Sequence, residues 1–233
     1  MLILYDFGNS VCCQKVRVTL VEKGLTWEAR RVDLFKTEQY DPEYLKLNPK
    51  GVVPTLVHDG HAVINSACIN EYIEETFPEP RLTPINPKRR ARMRYWTWNA
   101  DDTHLQGARL TRNQRLKSSV EGTSAADTAL VLEAMPVPAR RERWQKQAVG
   151  GHSADEMETA LAHVRFIAGQ MEAELAAHGP WLAGETFSLG DISMGSIVHR
   201  VNELYPELLP RERYPHGVDW FTRLMARPAA VAT

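Results

Sequence analysis

Between Phe77 and Pro87 the chain changes its pattern, and that break limits what it can fold into. Before it, short apolar runs alternate with helical spacing. Leu2-Ile3-Leu4-Tyr5 reads as a first strand, Gly8 as its turn, and Cys13, Val16 and Leu20 as one face of a helix closed by Gly24. Trp27 to Val32 reads as a second strand and Glu43 to Leu47 as a short helix. Thr55-Leu56-Val57 and Ala62-Val63-Ile64 flank His58-Asp59-Gly60-His61, whose Asp-Gly pair predicts a hairpin. A helix from about Ser66 to Phe77 turns Ile69, Tyr72 and Ile73 inward. Phe77-Pro78-Glu79-Pro80, followed by Pro84 and Pro87, then ends the alternation.

Everything afterwards is helical in spacing. Ser153-Ala154-Asp155-Glu156 is a capping box ahead of Met157, Leu161, Val164, Ala168, Met171 and Leu175 on one face, and His178-Gly179-Pro180 stops that helix. Ser188-Leu189-Gly190-Asp191 opens another, with Phe187 placed to staple onto Ile192. The order βαβαββα followed by helices predicts an α/β plus all-α chain, with a sheet domain over 1–78, a linker over 79–88 and a helical domain over 89–233. Gly122, Gly150, Gly151, Pro136 and Pro138 make 118–152 a long loop or a poorly packed helix.

Chemistry concentrates where the first strand meets the first helix, at Asn9-Ser10-Val11-Cys12-Cys13. Ser10 stands at or beside the N-cap, where free N–H groups and the helix dipole favour an anion such as a thiolate. It either caps the helix or serves such an anion. Cys12 in the first turn is either a thiol of lowered pKa or a small core hydrophobe. Cys13 and Cys68 read as core, and no Cys-x-x-Cys is present. Asn48-Pro49-Lys50-Gly51-Val52-Val53-Pro54-Thr55 leads into the third strand. Pro54 is there either an ordinary start to the strand or a cis residue that frees the Val53 N–H and C=O for an extended peptide. Asn65-Ser66 opens the next helix, as a plain cap or as a seat for a carboxylate.

These stretches resemble the glutathione transferase superfamily. Ser10-Val11-Cys12-Cys13-Gln14-Lys15-Val16-Arg17, the 48–55 stretch, Asn65-Ser66 and Phe187-Ser188-Leu189-Gly190-Asp191-Ile192 stand in that superfamily's order over nearly the full length. The resemblance implies a thioredoxin-like first domain, a helical-bundle second domain and a cis Val53-Pro54 bond. It also implies glutathione as co-substrate, a small hydrophobic or aromatic electrophile between the domains, and a homodimer. Ser10 falls where zeta-class and related members keep their catalytic serine. Cys12 falls where the zeta class and a reductive dehalogenase group carry a cysteine. Gln39, Lys50, Val53, Pro54, Asn65 and Ser66 are the glutathione-binding positions the resemblance implies. Asn9-Ser10, Glu22-Lys23-Gly24-Leu25, Val32-Asp33, Glu38-Gln39 and Met135-Pro136-Val137-Pro138 with Arg143-Trp144 are similar to bacterial β-aryl etherases. One departure is Asn65, where the superfamily usually has Glu, Gln or Asp; a neutral amide holds the γ-glutamyl ammonium more weakly.

The expected activity is glutathione-dependent transfer in which Ser10 donates a hydrogen bond to the sulfur. The alternatives are thiol oxidoreductase or reductive dehalogenase chemistry at Cys12, and a fold kept only for binding. The net charge of −1, with no lopsided half, gives no case for nucleic acid or a membrane surface. No apolar run approaches the ~20 residues that span a bilayer. Three cysteines, two of them adjacent, fit a reduced, cytoplasmic protein. The scattered histidines predict no metal site. Arg89, Arg90, Arg92 and Arg94 read as a solvated helix face. Trp96 or Trp98, with Tyr95 or His104, either lines an aromatic pocket or packs in the core, core being the default. Arg109, Arg112 and Arg115 meet an anionic substrate or the solvent.

Overall fold

The computed structural model describes residues 1–115, 125–138, 141–142, 145 and 152–231. The first half runs β1 (Leu2–Asp6), α1 (Val11–Glu22), β2 (Glu28–Arg31), two 3-10 turns (Leu34–Lys36 and Glu38–Tyr40), α2 (Pro42–Leu47), β3 (Thr55–His58), β4 (His61–Ile64) and α3 (Ser66–Thr76). The sheet order is β2-β1-β3-β4, with β1 parallel to β2 and antiparallel to β3, and β3 antiparallel to β4. Asp59 and Gly60 turn the hairpin at φ 49° and 84°, the left-handed pair a two-residue turn requires. β2 is exposed throughout and carries Glu28, Arg30 and Arg31, charges that blunt a sheet edge.

The second half comprises α4 (Pro87–Arg115), α5 (Ala125–Ala134), α6 (Ala154–His178), α7 (Leu189–Leu204) and α8 (Pro215–Met225). α4 packs on α6 and α7, and Trp96, Ala100, Val164, Met171, Met194 and Trp220 share its core. Within 118–152, α5 is a regular helix and Met135 is buried; much of the remainder, with Arg143 and Trp144, lies outside the described residues.

α1 joins the halves. Val16 and Leu20 pack in the sheet core, Val11 in the helical core, and Val18 in a third cluster with Leu82, Met93 and Ile192. A helix buried on both sides shows no single apolar face, and its polar groups need partners. Arg17 Nη1 donates to both Asp6 carboxylate oxygens at 2.6 and 2.8 Å, and Nη2 donates to the Gly8 carbonyl at 2.9 Å. Just past the helix, buried Lys23 pairs with Glu74 and donates to the Phe77 and Pro80 carbonyls at 2.8 Å each. Glu74 also accepts the Leu82 and Thr83 N–H groups. The proline-rich linker is therefore held by a buried ion pair at its base.

Two expectations are corrected. Cys68 is exposed, not core, because α3 buries Ser66, Ile69, Asn70, Ile73 and Glu74, and position 68 falls outside that stripe. Trp98 is 67% exposed. The buried stripe of α4 runs through Met93, Trp96, Ala100 and Thr103, so Trp96 is core and Trp98 points away from it.

Asp191 anchors the helical half. Fully buried, it accepts the Leu182 N–H at 2.9 Å, the Ser188 N–H at 3.0 Å, the Ser188 hydroxyl at 2.9 Å and the Trp220 indole at 2.8 Å. Burial pushes its carboxyl above the usual range although these donors pull it down. Asp191→Ala leaves buried donors unpaired and should lower the unfolding free energy by about 3 kcal/mol in urea titration. A loss under about 1 kcal/mol would show that the donors find other partners.

Candidate active site

Ser10 is the N-cap of α1: its backbone is extended and its Oγ accepts the Cys13 N–H at 3.3 Å. A cap uses a lone pair of the hydroxyl oxygen and not its hydrogen, although the Ser10 side chain also hydrogen-bonds with the Cys13 thiol behind it. Capping and donation to an anion are thus compatible, so the two readings of Ser10 do not compete. The helical domain steadies the preceding residue, where Arg200 Nη2 donates to the Asn9 carbonyl at 3.0 Å and to its Oδ1 at 2.8 Å.

Cys12, half-buried in the first turn, places its Sγ 3.6 Å from Nε2 of His104 on α4. One turn along α1, Lys15 is buried and donates to Asp101 at 2.9 Å, so positions 101 and 104 of α4 both face α1. Burial pushes the Cys12 thiol up. The charge and hydrogen bond of His104, the Lys15 charge and a hydrogen bond with Ser66 outweigh it and hold the thiol at about 7. Its neighbour differs. Burial, reinforced by the Asp6 charge, pushes the Cys13 thiol well up, and Cys13 is an inert core group.

The 48–55 stretch is fastened from beneath. Tyr44 Oη donates to the Val52 carbonyl at 2.6 Å and lies 2.9 Å from Thr55 Oγ1, while Asn48 Nδ2 donates to the same two groups at 2.8 and 3.0 Å. Burial pushes the Tyr44 phenol up to about 12, so it stays a donor. The Val53-Pro54 bond is cis. Gly51 has φ 58°, and a Cβ there would lie 2.8 Å from the Tyr40 ring and 3.2 Å from the Gln39 carbonyl. That close approach brings the Gln39 turn against the loop. Gln39 is buried, and its Oε1 has no hydrogen-bond partner among the described residues. Lys50 is exposed beside it.

Asn65 caps α3 at φ 74°, a conformation L residues rarely adopt and one that often marks a functional site. Its Oδ1 accepts the Ala67 and Cys68 N–H groups at 2.9 and 3.3 Å. That side chain leaves the Ser66 N–H uncapped. Ser66 itself is buried, near Cys12. Ser10, Cys12 and Ser66 therefore gather at the N-terminal ends of α1 and α3, with Gln39 and Val53-Pro54 on adjoining loops. Of the four aromatic candidates on α4, His104 alone meets Cys12; Tyr95 is exposed and donates to Gln170 at 3.1 Å. Arg109 donates to Gln106 at 2.9 Å, its charge and that of Arg112 act on His152, and the side chain of Arg115 lies outside the described residues.

Family models for the glutathione S-transferase N-terminal and C-terminal domains match residues 4–81 and 128–228. Protein LigF of Sphingobium sp. (strain NBRC 103272 / SYK-6) is 30% identical over 98% of this chain and 91% of its own. The chain belongs to the glutathione S-transferase family. The crystal structure of the beta-etherase LigF superposes on this glutathione S-transferase with a TM-score of 0.90, covering 98% of this chain and 96% of that one. A second likeness covers less: mouse maleylacetoacetate isomerase is 42% identical over 94 residues, 40% of this chain and 44% of its own.

Sequence reasoning named His104 only as a pocket residue and missed Tyr44 and Arg200. The signal for His104 lies in the phase of α4: with 93, 96, 100 and 103 buried in the bundle, 101 and 104 fall together on a neighbouring strip. Alkylation of Cys12 by iodoacetamide should rise with pH around a midpoint near 7, against about 8.5 for a free thiol. His104→Ala should move that midpoint upward, and an unmoved midpoint would sink the pairing.

Proposed function

We propose that this glutathione S-transferase binds glutathione along the 50–54 loop and the α3 N-terminus, with its sulfur at the N-terminus of α1. The observation that carries this reading is Ser10, an N-cap whose hydroxyl hydrogen is not used by the cap. The buried Gln39 Oε1, without a partner among the described residues, supports the same reading as an acceptor for the ligand's amide or ammonium hydrogens. Lys50 attracts a carboxylate of the tripeptide, Val53 pairs with its peptide groups beside Pro54, and Ser66 receives the γ-glutamyl carboxylate. Asn65 orders the helix end that holds it.

Ser10 donates its hydrogen bond to the glutathione sulfur and, with the helix dipole, favours thiolate over thiol. A hydrogen bond to an ionised partner is worth roughly 1.5–3 kcal/mol, enough for one or two pKa units. The thiolate attacks an electrophilic carbon, the C–S bond forms, and the bond to the leaving group breaks with its electron pair. With an aryl ether the leaving group is a phenolate, which then takes a proton, and no oxidant or reductant enters. The likeness to a beta-etherase over nearly the whole chain favours aryl ethers first and halogenated aromatics second.

A second reading rests on the Cys12–His104 pair. There the Cys12 thiolate attacks the glutathione sulfur of a mixed disulfide between glutathione and a substrate thiol, keeps the glutathionyl group and releases the substrate thiolate; a second glutathione then restores Cys12 and leaves as oxidised glutathione. Turnover of an aryl ether separates the two. Ser10→Ala should lower kcat/KM about ten- to a hundredfold at neutral pH, while Cys12→Ala leaves it little changed. The reverse pattern, with a glutathione adduct on wild type that Cys12→Ala lacks, would establish the thiol route.

A further inference from the structure

Where α1 and α4 meet, they run antiparallel. Lys15 reaches Asp101 at 2.9 Å, and Cys12, one turn back along α1, lies 3.6 Å from His104, one turn forward along α4. The same register, continued by one more turn, places Gly107 level with Asn9 and Ser10, beyond the end of α1 and on the face of α4 that carries His104. Gly107 is buried, yet a Cβ built on it would meet nothing within 4 Å among the described residues. Backbone that is shielded from solvent and still has room beside it is the wall of a recess, and His104 is the next residue along that wall. α7 reaches the same end of α1, through Arg200 on Asn9.

His104 has a proton to give there. Its Nε2 is engaged by the Cys12 sulfur, whereas its Nδ1 has no hydrogen-bond partner among the described residues, and the ring is only half-buried. A thiolate at Cys12 favours the charged imidazolium, in which both ring nitrogens carry hydrogens. The displacement proposed above needs such a donor, because a phenol titrates near about 10 and its anion is a poor leaving group until it is protonated. We infer, on the transferase reading, that His104 is a catalytic residue: the general acid that protonates the leaving oxygen of an aryl ether seated in the recess at Gly107. As the glutathione sulfur forms the C–S bond, the C–O bond breaks with its electron pair on oxygen, and the Nδ1 proton of His104 passes to that oxygen. The proton that the next glutathione thiol loses on ionising recharges the imidazole. The cycle therefore consumes no acid and releases a neutral phenol. Ser10 serves the nucleophile and His104 the leaving group, at the two ends of one displacement.

The test is glutathione-dependent turnover of 2-phenoxyacetophenone and 2-(4-nitrophenoxy)acetophenone by the full protein. The same carbon is attacked in both, and only the leaving group differs; nitrophenolate is stable enough to depart without a proton. His104→Gln should widen the ratio of kcat/KM between the nitrophenyl and phenyl ethers about a hundredfold, nearly all of it lost from the phenyl ether. Imidazole added to His104→Ala should restore turnover of the phenyl ether far more than that of the nitrophenyl ether. Gly107→Leu, which fills the recess, should raise KM for both ethers and leave their ratio as in wild type; an unchanged KM would overturn the placement. Equal losses on both ethers in His104→Gln, or no loss on either, would overturn the acid role while wild-type turnover keeps the transferase reading intact. If wild type attacks neither ether, the aryl-ether reading itself fails and the inference falls with it.

Discussion

Helix α1 is buried on both sides, between a sheet that needs its apolar residues and a helical bundle that needs them too. That constraint organises the molecule. Nine of its twelve residues, Val11 and Cys13 to Leu20, are buried, and they include Gln14, Lys15, Arg17 and Thr19. Each charged side chain there is matched: Arg17 to Asp6 on β1, Lys15 to Asp101 on α4, and Lys23 just beyond to Glu74 on α3. Buried charges with fixed partners tolerate little displacement, because breaking one pair leaves an uncompensated ion. A further clamp of Arg227 on Glu22, at 2.6 and 2.7 Å, ties the end of the described chain to the far end of the same helix.

Such anchoring suits a helix whose N-terminus is proposed to hold the glutathione sulfur. The N–H groups and dipole at that end act on any anion set before them, and their direction is fixed by the packing behind. Successive residues then take different roles through their surroundings. Ser10, half-buried, caps the helix end, Cys12 turns to His104 and Ser66, and Cys13 turns into the core with a raised pKa. Two adjacent cysteines have thiol pKa values pushed in opposite directions because the helix rotates their side chains about 100° apart.

The element boundaries were legible from the sequence in both domains because their signals are local. The Asp59-Gly60 turn, the Ser153 capping box and the Pro180 stop each lie within a few residues of what they determine. Ser10 and Asn65 as helix openers were legible for the same reason. Cys68 and Trp98 were misplaced because their burial depends on helix phase against a partner: one step off the stripe turns a sulfur or an indole from core to solvent. His104, Tyr44 and Arg200 act over sequence separations that no local pattern records. The α4–α1 contact spans 92 residues between Cys12 and His104, and only the packed structure brings them together.

The central claim is that Ser10 stabilises a glutathione thiolate at the α1 N-terminus. Its most direct test is a pH titration of the ultraviolet thiolate absorbance of glutathione bound to the protein with Ser10 present and with Ser10→Ala, both in a Cys12→Ala, Cys68→Ala background that removes the protein's own accessible thiols. The account predicts a bound thiol pKa one or two units below the free value of about 8.5, raised again in Ser10→Ala. An unshifted pKa with Ser10 present, or the same lowered value in both proteins, would contradict it.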